Sequence, residues 1–317
     1  MEKENKKPLK VLVLDGGGSK GVYTLGVLKE LELKLGGKLY EHFDLMYGTS
    51  TGSIIAALIG VGKTIPEIET LYMALIPKIM SGFTSKCKSQ NLKNEADRVF
   101  GEMTFNAFKT HIGIVAMNFD EQKPLIFKTD VSQAHGSTGS FVIGFGCTIS
   151  EAVQCSCSAY PIFDIKEIEL TNVGSKTKVR AIDGGFIANN STLFAMIDAH
   201  KAFKLDETEV RLLNVGVGSY IEKSLGFKHN LLKIFDRNQF IERVLSANTN
   251  TNVQTAHLLY PKLQKLRISD TFAEPEYGTN MIESDPEKLN KLSGLGRKSF
   301  AKYEREIETL FDLNKKS

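Results

Sequence analysis

The 317-residue chain predicts an α/β fold, with a mostly parallel central sheet covered by helices on both faces. Three observations carry this. Short apolar, β-prone runs recur along the first two thirds of the chain, two of them end in glycine-rich loops, and those loops open, in turn, a segment with leucines at helical spacing and an apolar run. Hydrophobic residues make up 42% and charged residues 24% of the sequence, ordinary values for a folded globular protein.

Val11-Leu12-Val13-Leu14 is the first strand; it ends in Asp15-Gly16-Gly17-Gly18, after which Leu25, Leu28, Leu31 and Leu35 mark a helix. Leu45-Met46-Tyr47 begins a second unit, passing through Gly48-Thr49-Ser50-Thr51-Gly52 into the apolar run from Ser53 to Ile59. Residues 45–62 carry no charge and reach the length of a membrane span, but glycine and hydroxyl residues interrupt their first half, so a buried strand, a turn and a core helix are expected instead. Residues 77–101, rich in Lys, Ser and Asn, predict a surface excursion with one or two short helices, serving as a lid or as decoration. Ile112 to Ala116, Leu125 to Phe127, Val179 to Ile182 and Leu212 to Val217 predict further strands, with a helix from Thr192 to Lys201. The expected division is a charged tail over 1–9, a core over 10–222, and a helical extension over 223–317 packed on the same domain, its last helix running from Ser299 to Leu313.

Forty Lys and Arg against 37 Asp and Glu leave a net charge of +3, too small to argue for a nucleic-acid polymer as partner. Basic residues do gather at Lys3, Lys6, Lys7 and Lys10 and at Lys86, Lys88, Lys93 and Arg98; these are a solvated surface or an attraction to anionic lipid headgroups. The four cysteines and the charged tail before Val11 fit a cytoplasmic chain with reduced thiols. Cys155-Ser156-Cys157 is one residue short of a CxxC pair, and no metal is expected.

Ser50 lies between Gly48 and Gly52 in strand-to-helix context, which fits a nucleophile elbow and also fits a plain turn with an N-capping serine. The loop Asp15-Gly16-Gly17-Gly18-Ser19-Lys20-Gly21 opens a helix, so its free N–H groups favour negative charge. Gly16, Gly18 and Gly21 also satisfy GxGxxG, but that fingerprint wants an acidic residue at the end of the second strand, where Ser50 stands, and Asp44 precedes the strand. A triphosphate loop fits worse, because Lys20 follows Ser19 and precedes Gly21. Paired with Ser50, the loop becomes an oxyanion hole. The serine needs a base: an aspartate, or one of His42, His111, His135, His200, His229 and His257. Asp183-Gly184-Gly185 ends a strand and precedes the polar turn Asn189-Asn190-Ser191; it is a carboxylate at the sheet edge of Ser50 or a common Asp-Gly turn.

These three motifs in this order resemble the patatin-like phospholipases, over roughly residues 10–195, and Ser158-Ala159-Tyr160-Pro161-Ile162-Phe163 is similar to a further segment of that family. The resemblance implies Ser50 as nucleophile, Asp183 as base without histidine, and the amides of Gly16, Gly17, Gly18 and Thr51 as oxyanion hole, with Asp15, Lys20, Gly21, Gly48, Gly52, Gly184 and Gly185 as motif support and no cofactor. Lys20 stands where the family more often has arginine, and Ser191 where a proline often follows the asparagine pair. The implied activity is a phospholipase A type acyl hydrolase acting peripherally at the inner membrane surface, on phospholipid or another acyl-ester lipid. Phe141 to Phe145 and Ala152 to Phe163 are candidates for an acyl channel. Size and C-terminal extension resemble bacterial effectors of this family that cyclic oligonucleotides switch on in anti-phage defence. The alternatives are a Ser-His-Asp esterase of α/β-hydrolase type and a catalytically silent nucleotide-sensing or scaffold protein.

Overall fold

The computed structural model describes residues 7–135, 138–220 and 237–313; Lys3, Lys6, His229 and the boundary expected at 222 lie outside the described residues. In chain order, β1 (Leu9–Leu14) leads into α1 (Gly21–Leu35), then β2 (Leu45–Thr49), α2 (Thr51–Gly60), α3 (Ile65–Met80) and α4 (Ser85–Phe100). Next come β3 (His111–Asn118), β4 (Lys123–Lys128), α5 (Ile149–Cys157), β5 (Lys166–Asn172), β6 (Ser175–Asp183), α6 (Gly185–Ala188) and α7 (Thr192–Lys201). The remainder is β7 (Val210–Val215), β8 (Ser219–Tyr220), α8 (Arg237–Leu259), β9 (Gln264–Ile268), β10 (Thr271–Phe272), α9 (Pro286–Lys302) and α10 (Glu304–Leu310).

The main sheet has the order β5-β6-β3-β2-β1-β7-β9, with β4 also on β3. β3, β2, β1, β7 and β9 run parallel; β4, β5 and β6 bring antiparallel pairings. Alternation along each strand sorts the core into two layers. Leu12, Leu14 and Met46 pack under α1, α2, α3 and α5, whereas Val11, Val13, Leu45 and Tyr47 pack under α7. On that second face the buried Asp198 of α7 accepts from Lys128 Nζ at 2.7 Å, Gln133 Nε2 at 2.7 Å and the Tyr47 hydroxyl, and contacts His135 Nε2 at 2.6 Å. Partnered donors on every side are what make a fully buried carboxylate tolerable.

Two expectations need correction. α3 runs through Pro77 to Met80, because a Thr64 and Glu67 capping box starts the helix firmly and Leu75, Ile76 and Ile79 bury one face. Residues 77–101 are thus the end of one 16-residue helix and the whole of another, longer than the short helices expected, with Leu92, Ala96 and Phe100 buried. The C-terminal third is not purely helical, since β9 extends the main sheet beyond β7, and the last helical stretch is α9 followed by the short α10.

α9 lies against α1 so closely that a Cβ on Gly26 would strike the Ser293 carbonyl and one on Gly296 the Tyr23 carbonyl. Glu69 of α3 ties both helices, accepting from Lys29 Nζ at 2.6 Å and from Ser293 Oγ at 2.7 Å. A side chain at that contact has nowhere to go. Gly296→Val is therefore expected to lower the unfolding free energy by about 1–3 kcal/mol, read by urea denaturation against wild type.

Candidate active site

β3 has two flanks, and their use decides the geometry of the site. β4 pairs with Gly113 to Asn118 along one flank. β2 pairs with His111 to Val115 and β6 with Ala116 to Asn118, so both must occupy the other flank. There β2 runs parallel and stops at Thr49 opposite Val115, while β6 runs antiparallel and stops at Asp183 opposite Ala116. The two strand ends abut, which brings Ser50 and Asp183 to one place. The sequence reading that put Asp183 at the carboxyl edge of a strand stands, but the strand comes from the opposite direction.

Ser50 has φ 52° and ψ −124°, a conformation costly for any residue with a Cβ. Its surroundings hold it there. Its N–H donates to Ser156 Oγ at 2.8 Å, Ser156 Oγ donates to the Val115 carbonyl at 2.6 Å, and Ser53 Oγ donates to the Ser50 carbonyl at 2.6 Å. The neighbouring glycines are required by close approach: a Cβ on Gly48 would meet the Gly52 carbonyl, and one on Gly52 the Leu14 carbonyl. The chain turns sharply at Ser50 from β2 into α2, and the Ser50 side chain makes no N-cap hydrogen bond.

Asp183 is buried, with 1% exposure. Burial pushes its carboxyl up to about 6, and hydrogen bonds from the Ser50 side chain and the Gly185 N–H, the latter at 2.7 Å, oppose that rise. A Cβ on Gly184 would collide with the Val115 carbonyl, which explains the first glycine of the pair.

The Gly17, Gly18 and Thr51 N–H groups have no hydrogen-bond partner among the described residues, while the Gly16 N–H donates to the Asn189 carbonyl at 3.1 Å. Gly16 is thus removed from the set of free donors and shapes the loop instead: a Cβ there would strike Asn189 Oδ1. Gly18 needs its positive φ of 56° and passes tightly over the Met281 carbonyl. A Cβ on Gly21 would press on the Thr51 and Tyr72 side chains.

Asp15 does not face the serine. Buried at 1% exposure, it accepts from Asn190 Nδ2 at 2.7 Å, Asn214 Nδ2 at 2.8 Å and Arg267 Nη1 at 2.7 Å, joining β1 to β7, β9 and the turn after Asp183. Lys20 likewise points away, with Nζ 3.9 Å from Glu242 of α8. These two motif residues hold the loop. Ser191, buried with no partner for its hydroxyl, only precedes α7.

An apolar pocket opens beside Ser50 and Thr51, walled by Leu75, Ile76, Ile79 and Met80 of α3, Leu92 of α4 and Phe163. Of the two expected acyl-channel segments, the second contributes Cys157, Ala159, Ile162 and Phe163. Phe141 and Phe145 instead pack edge-to-face with each other, and Phe145 with Phe127, inside the core. On the other side of the glycine loop lies a polar cavity lined by Gly16, Gly17, Lys20, Ser246, Asn250 and Arg267.

None of the described histidines reaches Ser50. His42 contacts the Gly36 carbonyl, His111 stacks edge-on against Phe203, His135 faces Asp198, His200 Nδ1 contacts the Leu205 carbonyl at 2.6 Å, and His257 lies near the end of α8. Sequence reasoning missed Ser156, the elbow's anchor, and Tyr72, whose hydroxyl donates to the Gly18 carbonyl at 2.7 Å and contacts Thr51. Tyr72 carries no local signal. Ser156 lay two residues before a motif segment and was read only as the spacer between two cysteines. Cys157, beside Ser50, is held as a neutral thiol by burial.

A strained serine opposite a buried carboxyl, with an apolar pocket at hand, belongs to the hydrolases that act on lipid esters. A sequence-family model described as patatin-like phospholipase matches residues 12–196, and the chain belongs to that family. It is 45% identical over 96% of its length, and 94% of the relative's, to a cUMP-AMP-activated phospholipase of Escherichia coli. A cGAMP-activated phospholipase of Escherichia coli strain TW11681 is 26% identical over 67% of this chain and 63% of its own. The crystal structure of VipD from Legionella pneumophila aligns over 97% of this chain and 67% of that one, with TM-score 0.48 and 13% identity.

Because folded Asp183 holds its proton up to about pH 6 while an unfolded aspartate releases it near 3.8, stability falls between those values and is level above them. Asp183→Asn removes this loss. Urea unfolding is expected to find the variant more stable than wild type by about 2–3 kcal/mol at pH 8, and to find no such gain at pH 4.

Proposed function

We propose that this chain is a phospholipase A type enzyme, switched on by a cyclic dinucleotide, in which Ser50 is the nucleophile and Asp183 the base. The single observation that carries the catalytic assignment is the abutment of the β2 and β6 ends on one flank of β3, which sets Ser50 beside the buried Asp183 carboxyl, poised near neutrality. Asp183 takes the hydroxyl proton as Ser50 Oγ attacks the ester carbonyl, and the N–H groups of Gly17, Gly18 and Thr51 hold the resulting oxyanion. Collapse of the intermediate breaks the bond to the glycerol oxygen, which receives the proton from Asp183. Water, deprotonated by the same carboxylate, then frees the fatty acid from the serine. The apolar pocket along α3 receives the acyl chain, and the substrate is a phospholipid taken from a membrane surface.

The cyclic dinucleotide comes from the relatives named above, and the structure supports a route for its action. The Ser19 N–H donates to the Met281 carbonyl at 2.9 Å, and the Met281 N–H donates to Glu242 of α8, which also faces Lys20. The C-terminal segment thus touches the loop that carries the oxyanion donors, so a ligand bound against that segment shifts those donors.

Fatty acid released from mixed phospholipid vesicles, read by mass spectrometry with cUMP-AMP, with cGAMP and with neither, tests the whole reading. Release is expected with cUMP-AMP and to fall by about 10³-fold or more in Ser50→Ala and Asp183→Asn, whereas His200→Ala, His229→Ala and His257→Ala keep it. Loss in a histidine variant with retention in Asp183→Asn would reject the dyad, and a Ser50 that no fluorophosphonate labels under any condition would reject catalysis.

The pH profile gives a separate check. A base must be ionised to work, so kcat/KM is expected to rise with pH through an apparent pKa of about 6 and then level. A profile flat from pH 5 to 8, as about three units of scan would resolve, is incompatible with Asp183 as the base.

A further inference from the structure

The turn between α3 and α4 presents Phe83, a large apolar side chain, fully exposed to solvent. The turn is well built. Asn91 Nδ2 donates to the Lys78 carbonyl at 2.9 Å across the hairpin, the Cys87 N–H donates to Thr84 Oγ1 at 3.2 Å, and a Cβ on Gly82 would press on the backbone of Lys88. An aromatic ring held outward on a fixed tip is a costly arrangement in water alone.

Charge around the tip has one sign. From Thr70 to Asn94 the sequence holds no acidic residue and four lysines, Lys78, Lys86, Lys88 and Lys93. Lys78 and Lys93 lean toward Glu95 and Asp97 farther along α4, but Lys86 and Lys88, nearest the tip, have no ion-pair partner among the described residues. The same hairpin walls the apolar pocket. On α3, Tyr72 touches Thr51 next to the elbow, and Leu75, Ile76, Ile79 and Met80 follow toward the tip. The eight helical steps from Tyr72 to Met80 span about 12 Å, so a continuous apolar wall runs from Ser50 to within three residues of Phe83.

We propose that the α3–α4 tip is the membrane-docking element: Phe83 inserts among the acyl chains of an anionic bilayer while Lys86 and Lys88 meet its phosphates. This rests on the phospholipase reading above and adds the surface through which substrate arrives. With the tip seated, an ester drawn up to Ser50 leaves its acyl chain lying along α3 back toward the bilayer, so the chain need not cross water. Charge complementarity selects the occupant, since a polar protein surface would not call for an inserted ring, and a neutral bilayer would not call for lysines without partners.

The chain contains no tryptophan, so Phe83→Trp introduces a sole reporter. On adding vesicles of phosphatidylcholine with phosphatidylglycerol, its emission is expected to shift to the blue, while Leu33→Trp, at an exposed site on α1, is not expected to shift. Lys86→Glu with Lys88→Glu is expected to weaken cosedimentation with those vesicles by at least about tenfold, and Phe83→Asp by a similar factor, with unfolding midpoints matching wild type. Unchanged Trp emission in bound protein, or equal cosedimentation with vesicles of phosphatidylcholine alone, would overturn the proposal. Docking by the tip without fatty-acid release when cUMP-AMP is present would sink the hydrolase reading instead, so the two failures are distinct.

Discussion

The site depends on one constraint, the shared flank of β3. A strand has room for a neighbour at each point along each side, and here β2 fills five positions of one side and β6 the next three. Two chain segments about 130 residues apart are thereby stopped head to head with no gap for a further residue. Gly184 is the mark of this economy of space: the chain leaves β6 directly over the Val115 carbonyl, where only a hydrogen fits. The backbone hydrogen bonds of the sheet, rather than flexible side chains, set the distance between hydroxyl and carboxyl. Such ladder bonds are individually modest but collectively hard to shift.

Two unfavourable features are concentrated at that junction, a left-handed backbone at Ser50 and a carboxyl held in a dry place. Both are offset nearby. Ser156 and Ser53 fix the elbow's N–H and carbonyl, and the Asp15 cluster of Asn190, Asn214 and Arg267 fixes the glycine loop against the turn that follows Asp183. The motif glycines and polar residues divide the work accordingly. Gly17 and Gly18 leave donors open, Gly16 and Gly184 permit contact, and Asp15 and Lys20 brace the loop from behind.

Much of this was legible in the sequence because it is written locally. A glycine on either side of Ser50, a glycine run after Val11 to Leu14, and an Asp-Gly-Gly after an apolar run each carry their backbone requirement with them. What was not legible is what the local pattern does not encode. The direction of β6 depends on which neighbour it pairs with, and its exposed Lys and Ser residues hide that it is a long strand. Tertiary burial of Leu75, Ile76 and Ile79 carries α3 past Pro77, since a proline near a helix end forfeits little that the packing does not restore. β9 was missed because Gln264-Lys265-Leu266-Arg267-Ile268 is an edge strand, polar enough to pass for a charged helix. The engagement of the Gly16 N–H turns on Asn189, whose position no spacing rule supplies.

Arg267 gives the architecture a last consequence. It sits on β9, well past residue 196 where the family match ends, yet its guanidinium closes the ring of partners around Asp15 behind the glycine loop. The portion recognisable as patatin-like is for that reason not a module that can be lifted out: cut there, the loop would keep its glycines and lose the cation that balances its buried anion. Grafting the C-terminal half of one such protein onto the first half of another, to exchange what it responds to, would have to carry a matching arginine on the added strand.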